Sequence, residues 1–149
     1  MDDVDQYRVE DALVAAQYRV YPDTPLGEVV DLMSRRGLRA VPVVGEQFEV
    51  LGVITSGDAL GHVLRKGRQD APEGDGWEGV LARDVMTRSV LCVSEDQPLA
   101  EAAHMMLNRD VEQLPVVREG ELVGFVTRDT VLRTLHSAAD DTNDEQAES

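Results

Sequence analysis

Cysteine, lysine and aromatic residues are scarce in this sequence. Cys92 is the one cysteine, so no disulfide can form within the chain, and its apolar neighbours predict a buried structural thiol. Lys66 is the one lysine. With 14 basic against 29 acidic residues the formal charge is −15, which argues against nucleic acid or an anionic membrane surface as a partner. Because aromatic residues amount to 4%, valine, leucine, alanine and methionine must supply the core.

Membrane-spanning and catalytic patterns are also missing. No apolar run approaches the ~20 residues of a membrane span, and the acidic start at residues 1–5 is the opposite of a signal peptide's basic start. His62, His104 and His136 stand without partners at metal-site or triad spacing, and there is no glycine-rich phosphate loop. We therefore expect a cytoplasmic protein with no membrane anchor, no metal site, no required cofactor and no enzymatic activity.

An internal repeat is the strongest feature that is present. The segment Ala40–Val44 reads AVPVV and returns as QLPVV at Gln113–Val117, 73 positions later. After the paired valines one residue is lost, so that Gly52–Thr55 falls on Gly124–Thr127. Further pairs that agree at the first spacing are Asp11 and Asp84, Pro25 and Pro98, Leu26 and Leu99, Glu28 and Glu101, Met33 and Met106, and Arg36 and Arg109. Two units of about 60 residues are expected to share one core with pseudo-twofold symmetry.

Each unit has the pattern of a short opening helix followed by strand, helix, strand, strand and helix. Thr24 is expected to cap a long helix that has Pro25 at its first position and ends at Gly37. Two apolar runs around a polar turn predict a hairpin in the first unit, and the second unit repeats it with a tighter turn. Short strands are predicted at 18–21 and 89–93, and amphipathic last helices at 59–64 and 131–135.

These patterns divide the chain into five segments. They are a flexible N-terminus at 1–6, a first repeat at 7–66, a polar linker at 67–79, a second repeat at 80–136 and a disordered acidic tail at 137–149. Each opening segment, Tyr7–Val14 or Val80–Met86, is assigned to the repeat that it precedes. Trp77 lies in the linker and is expected to pack in a groove.

The order of these motifs resembles the cystathionine-beta-synthase (CBS) domain, which occurs as tandem pairs called Bateman modules. A hydrophobic-Pro-Val-Val strand followed by Gly-hydrophobic-hydrophobic-Thr and a helix occurs twice across residues 9–136. The resemblance implies an α/β (α+β) fold of two β-α-β-β-α repeats packed around a pseudo-dyad, with two clefts between them. Family members bind AMP, ADP, ATP or S-adenosylmethionine in these clefts, pair into a disc-like homodimer, and regulate rather than catalyse.

The resemblance places the main ligand site in the first repeat. In the family a Thr or Ser followed three positions later by Asp holds the ribose, and Thr55 and Asp58 match that pattern. An ionised carboxylate only accepts hydrogen bonds, so two vicinal ribose hydroxyls can donate to its two oxygens. The residues that would surround the adenine, assigned by family position, are Val14, Ala15, Ala40, Val41, Pro42 and Ile54.

Each of these assignments has a structural alternative. Thr55 and Asp58 also match a capping box, and most apolar residues at strand spacing are plain core. In the second repeat the carboxylate of Asp129 comes one place early, so the second site is expected to be inequivalent, and weaker or empty. Arg128 either contacts a phosphate there or is solvated. The candidate residues of this second site are Leu114, Pro115, Thr127, Arg128 and Asp129.

Two functions are therefore open. The first is a regulatory module that binds an adenosine derivative at Thr55 and Asp58 and modulates a partner protein that the sequence does not identify. The second is a ligand-free dimeric scaffold of the same fold, in which both residues only cap a helix. Because Arg35, Arg36 and Arg39 complement the dipole of the first long helix, the pattern favours a neutral or cationic ligand over ATP.

Overall fold

The chain forms two compact units in a computed structural model that describes residues 6–69, 78–88 and 90–137. The repeat-1 unit comprises Gln17–Val90, and the repeat-2 unit combines Met1–Ala16 with Leu91–Ser149. The expected flexibility of residues 1–5, the disorder of residues 138–149 and the packing of Trp77 all fall outside the described residues.

The secondary structure follows the repeat. After a 3-10 turn at Val9–Ala12 the elements are β1 (Val14–Ala15), α1 (Leu26–Arg36), β2 (Ala40–Val44), β3 (Val50–Thr55), α2 (Ser56–Gln69), α3 (Ala82–Val85), β4 (Val93–Ser94), α4 (Leu99–Arg109), β5 (Gln113–Arg118) and β6 (Glu121–Thr127). A last helix covers residues 128–137. The predicted hairpins are confirmed as the antiparallel pairs β2–β3 and β5–β6. The tighter turn of the second hairpin has both Glu119 and Gly120 at positive φ, which suits a two-residue connection.

Each unit buries the apolar face of its long helix against its hairpin. In the repeat-1 unit α1 contributes Leu26, Val29 and Met33 to a core that also holds Val20, Val41, Val43, Ile54, Ala59 and Ala82. The repeat-2 unit has the equivalent core around Leu99, Ala102 and Met106 of α4. Aliphatic side chains and methionine therefore form both cores, as the low aromatic content predicts.

The two sequence repeats exchange their opening segments. In the repeat-1 unit the Ala82 N–H donates to the Thr24 carbonyl at 2.8 Å, and the Leu26 N–H donates to the Val80 carbonyl at 2.9 Å. The same pair of bonds recurs in the repeat-2 unit, from Val9 to Gln97 and from Leu99 to Tyr7. Each opening segment, which sequence analysis assigned to the repeat that it precedes, thus packs on the body of the other repeat.

The exchange explains the matched aspartates of the repeat. Asp11 accepts from the Arg8 N–H at 2.8 Å, and Asp84 accepts from the Leu81 N–H at 2.9 Å. Each carboxylate closes the first turn of an exchanged segment by binding the N–H three residues before it.

Several local predictions differ from the structure. The strand expected at 18–21 reduces to a single bridge between Val20 and Val43, and the strand expected at 89–93 is the shorter β4. Pro25, not Thr24, occupies the N-cap of α1, because the Thr24 hydroxyl accepts from the Tyr21 N–H at 2.9 Å instead. The end of α1 at Gly37 is confirmed, with φ of 64° in the left-handed region that glycine favours.

Candidate functional site

The candidate site is the start of α2, where β3 ends. The Thr55 N–H donates to Asp58 Oδ2 at 3.1 Å, and the Asp58 N–H donates to Thr55 Oγ1 at 3.0 Å. These reciprocal bonds are a capping box, so the structural alternative for this pair is present in the molecule. Thr55 is exposed and Asp58 is half-buried. The arrangement holds a negatively charged carboxylate at a helix start without removing it from solvent.

A residue of the second repeat completes this site. Thr87 Oγ1 donates to the same Asp58 Oδ2 at 3.2 Å. The backbone of Thr87 is bound to β3, because its N–H donates to the Val53 carbonyl at 2.9 Å and its carbonyl accepts from the Val53 N–H at 3.0 Å. Sequence reasoning missed Thr87. The repeat spacing could have indicated it, because that spacing aligns Thr87 with Val14, a residue predicted to surround the adenine.

The carboxylate of Asp58 is used on one side only. Oδ2 accepts from Thr55 and Thr87, whereas within residues 6–69, 78–88 and 90–137 no hydrogen bond reaches Oδ1. A carboxylate oxygen has about two lone-pair positions, so Oδ2 is filled. Oδ1 is therefore the oxygen of this carboxylate that keeps acceptor positions open among the described residues, and the ribose contact stays a prediction.

The predicted adenine residues separate into three groups. Val41 and Ile54 are fully buried members of the repeat-1 core, which is the plain structural role that sequence analysis left open. Ala40 is half-buried and pairs with Thr55 across the hairpin, while Pro42 is buried opposite Val53. Val14 and Ala15 belong to the repeat-2 unit, where β1 pairs with Phe125 and Gly124 of β6. The structure therefore brings Ala40, Val41, Pro42 and Ile54 together with Thr55, and assigns Val14 and Ala15 to the other unit.

The second repeat has a cap of a different chemical kind. Thr130 Oγ1 accepts from the Thr127 N–H at 3.0 Å, and Thr127 Oγ1 accepts from the Thr130 N–H at 3.0 Å. A neutral hydroxyl thus replaces the carboxylate of Asp58 at the same structural position. Leu114 and Pro115 lie on β5 beside this cap and are buried.

Asp129 and Arg128, the two charged residues beside the second cap, both contact other groups of the protein. Asp129 forms an ion pair with Arg133, one turn further along the helix. The Arg128 guanidinium donates to the Val111 carbonyl at 3.0 Å and to the Met106 carbonyl at 3.2 Å. Because Met106 lies in the last turn of α4 and Val111 follows that helix, Arg128 caps the end of α4, and its contact with a phosphate stays a prediction.

Other candidate chemistry is limited. Burial raises the pKa of the Cys92 thiol, which is half-buried and so less enclosed than expected. The described part of the chain contains no group of three His, Cys, Asp or Glu side chains that fits a metal ion. Among its helices, none combines the length and apolar character needed to cross a membrane.

Comparison with known proteins identifies the family. The sequence model of the CBS domain matches this chain twice, over residues 15–65 and 82–137, which together are more than half of its 149 residues. The chain therefore belongs to the CBS domain family and carries the domain as a tandem pair. The predicted resemblance is confirmed.

The curated relatives that the chain matches are longer proteins. The chloroplastic CBS domain-containing protein CBSX1 of Arabidopsis thaliana is 31% identical over 134 residues, covering 76% of this chain and 57% of that protein. Uncharacterized protein MK0525 of Methanopyrus kandleri is 32% identical over 107 residues, covering 71% of this chain and 51% of that protein. Inosine-5'-monophosphate dehydrogenase of Methanocaldococcus jannaschii is 28% identical over 127 residues, covering 85% of this chain but 23% of that enzyme. The chain spans little more than half the length of the first two and under a quarter of the third.

Solved structures confirm the predicted α/β fold. A crystal structure of CBSX2 in complex with AMP has a TM-score of 0.76 and 28% identity, and it covers 89% of this chain and 98% of that one. The CBS domain pair of protein MJ0100, in complex with 5'-methylthioadenosine and S-adenosyl-L-methionine, has a TM-score of 0.71 at 23% identity, covering 85% of this chain and 98% of that one. At that identity the second likeness concerns the fold alone.

Proposed function

We propose that this protein is a non-enzymatic regulatory module that binds an adenosine derivative at the start of α2 in the repeat-1 unit. The observation that carries the proposal is the Asp58 carboxylate, which is held at Oδ2 by Thr55 and Thr87 and has Oδ1 without a partner among the described residues. An ionised carboxylate with a free oxygen is a strong acceptor for a sugar hydroxyl. The likeness to CBSX2, whose crystal structure is a complex with AMP, supports an adenosine-containing ligand.

The arginines at the end of α1 bear on the choice of ligand. The Arg35 guanidinium lies 3.5 Å from the Asp31 carboxylate, and the Arg36 guanidinium lies over the Tyr18 ring at 5.5 Å. Both arginines of the last turn of α1 are thus engaged within the unit. Because the chain has a formal charge of −15, it repels a triphosphate at long range. This repulsion is weaker for AMP and absent for the cationic S-adenosylmethionine. We expect ATP to bind more weakly than AMP at low salt.

Calorimetry with AMP, ADP, ATP and S-adenosylmethionine tests the ligand proposal. We expect at least one of the four to bind, and we expect Asp58→Ala to weaken that binding by about tenfold or more, because a charge-assisted hydrogen bond is lost. Asp129→Ala is the matched control, since it removes the carboxylate of the second repeat, and it should leave the affinity unchanged. The absence of binding by all four ligands, or equal binding by the Asp58→Ala variant, would leave the scaffold alternative as the function.

The proposal includes a second copy of the chain as a partner. An apolar groove of about 260 Å³ runs between α1 and α2 and is lined by Val30, Met33, Ser34, Leu38, Ser56, Ala59 and Leu60. Leu60 of this lining is 62% exposed, and Leu64 of the same helix is 58% exposed, although the predicted amphipathic helix would bury both. Leu132, which matches Leu60 in the repeat, is 65% exposed. An exposed leucine at the same helix position in both repeats suits a symmetric homodimer.

Sedimentation tests the dimer independently of any ligand. The unsubstituted protein should sediment as a dimer, and Leu60→Glu with Leu132→Glu should sediment as a monomer of unchanged circular dichroism. Leu51→Glu, at a side chain that is 37% exposed on β3 rather than on a helix, is the control and should remain dimeric. A monomeric parent protein would contradict this part of the proposal while leaving the ligand site intact. We propose that the regulated protein contacts this module, and that binding of the ligand changes the affinity of that contact.

A further inference from the structure

We infer that Thr87 is a positioning residue for Asp58, and that this pair determines recognition of a ribose hydroxyl in the repeat-1 unit. The inference rests on the proposed function and deepens it. Thr87 touches Asp58 and not the ligand in this account. Its part is to occupy Oδ2, so that Oδ1 is left in a fixed direction for a hydroxyl donor.

The two units supply an internal comparison for this pair. At the repeat spacing Thr87 corresponds to Val14, and the cap that contains Asp58 corresponds to the one that contains Thr130. The repeat-1 unit therefore has a hydroxyl donor at Thr87 and a carboxylate acceptor at Asp58. At the corresponding positions the repeat-2 unit has Val14 and Thr130, so it has neither group. Val14 and Thr87 otherwise make the same backbone pairing, Val14 with Phe125 of β6 and Thr87 with Val53 of β3. Because the backbone arrangement is common to both units, the fold itself does not require the hydroxyl of Thr87.

A role in the fold alone is a poor account of the Thr87 side chain. Its segment is already held by the two backbone hydrogen bonds to Val53, and its side chain is exposed. The cap is also complete without it, since Thr55 and Asp58 satisfy each other. What the Thr87 hydroxyl adds is a third contact that fixes the rotation of the carboxylate about its bond to Cβ. A fixed acceptor loses less entropy when a hydroxyl binds to it.

Thr87→Val and Thr87→Ser test this inference by calorimetry with AMP and 2'-deoxy-AMP, or with the corresponding pair for whichever of the four ligands binds. We expect Thr87→Val to weaken AMP binding by about tenfold, because the Asp58 carboxylate is then free to rotate and loses more entropy when a ribose hydroxyl binds to it. We assign the bond to Oδ1 to the ribose 2'-hydroxyl, so the same variant should weaken 2'-deoxy-AMP binding by less than about twofold, because that hydroxyl is already missing. Thr87→Ser keeps the donor and should stay within about twofold of the unsubstituted protein for both ligands. The melting temperatures without ligand should agree for all three proteins.

The outcomes separate this inference from the function on which it rests. If the protein binds AMP, Asp58→Ala abolishes binding and Thr87→Val leaves it unchanged, then the ligand site stands and the role of Thr87 is wrong. Equal losses for AMP and 2'-deoxy-AMP in Thr87→Val would also overturn it, because they would indicate general damage to the unit. If none of the four ligands binds, the proposed function fails and takes this inference with it.

Discussion

Gly52 lies so close to the exchanged segment that a Cβ on it would stand 2.7 Å from the Thr87 carbonyl oxygen. In the repeat-2 unit Gly124 meets the Val14 carbonyl in the same way and at even closer range. Both glycines belong to the Gly-hydrophobic-hydrophobic-Thr motif of the repeat. The motif therefore requires glycine because the opening segment of the other repeat crosses the hairpin at that point.

Substitution of these glycines measures how tightly the exchanged segments are bound. Gly52→Ala and Gly124→Ala should each lower the free energy of unfolding by about 1–3 kcal/mol, since a backbone segment must move to admit the methyl group. Gly27→Ala is the control, because a Cβ there meets nothing within 4 Å and Gly27 lies on exposed helix. It should raise the stability by about 0.5–1 kcal/mol. Urea denaturation of the three variants checks this, and a neutral Gly124→Ala would contradict the exchange.

Arg128 is expected to be a stability residue. Arg128→Met should lower the free energy of unfolding by about 1–2 kcal/mol, because the Val111 carbonyl loses the guanidinium donor and the Met106 carbonyl is left with backbone donors alone. Arg133→Met removes an exposed ion pair and should cost no more than about 0.5 kcal/mol. Nucleotide affinity should be unchanged in both. A loss of affinity in Arg128→Met with no loss of stability would restore the phosphate interpretation.

The ion pair between Glu95 and Arg118 predicts a pH dependence of stability. Two hydrogen bonds, each of 2.6 Å, hold the carboxylate, and the Arg118 guanidinium lowers the pKa of Glu95 below its usual range. A carboxyl group with a lowered pKa in the folded state stabilises the fold above its unfolded pKa of about 4.3, and this contribution is lost as the pH falls through the folded value. Arg118→Gln should therefore be less stable than the parent at pH 7. As the pH falls from about 4.3 through the lowered pKa of Glu95, the two denaturation midpoints should converge, and a constant gap would contradict the pairing.

Cys92 is expected to react slowly with alkylating agents. Burial raises the pKa of its thiol, so the thiolate fraction at pH 8 is lower than that of a free cysteine. Iodoacetamide should modify the folded protein more slowly than it modifies glutathione, and urea should remove the difference. Modification at the rate of glutathione in the folded state would show that the thiol is exposed.

The repeat predicts most of the secondary structure, because hydrophobic periodicity and turn residues act locally. The long helix ending at Gly37 and both hairpins follow from such signals. Sequence reasoning fails where two placements satisfy the same pattern. Val9 has the same chemistry whether it binds Gln97 of the other repeat, as it does, or Thr24 of its own, since the two positions correspond. Nothing local distinguishes exchange from self-packing.

The candidate site shows the same division. The capping pair of Thr55 and Asp58 is a local motif, and its geometry is as the sequence predicts. Thr87 reaches Asp58 only through the exchange, so the repeat spacing can mark its position but the contact itself is seen only in the folded chain. Val41 and Ile54 are predicted by family position to form a pocket wall, and both are fully buried in the core, because a position in the repeat does not say which buried residues border a ligand.

A crystal structure of the protein grown with AMP tests the central claim most directly. We predict a ribose hydroxyl at about 2.7 Å from Asp58 Oδ1, with Oδ2 still bound to the Thr55 N–H and the Thr87 hydroxyl. AMP bound elsewhere on the chain, or an Asp58 carboxylate turned away from the ribose with both oxygens in solvent, would contradict the account.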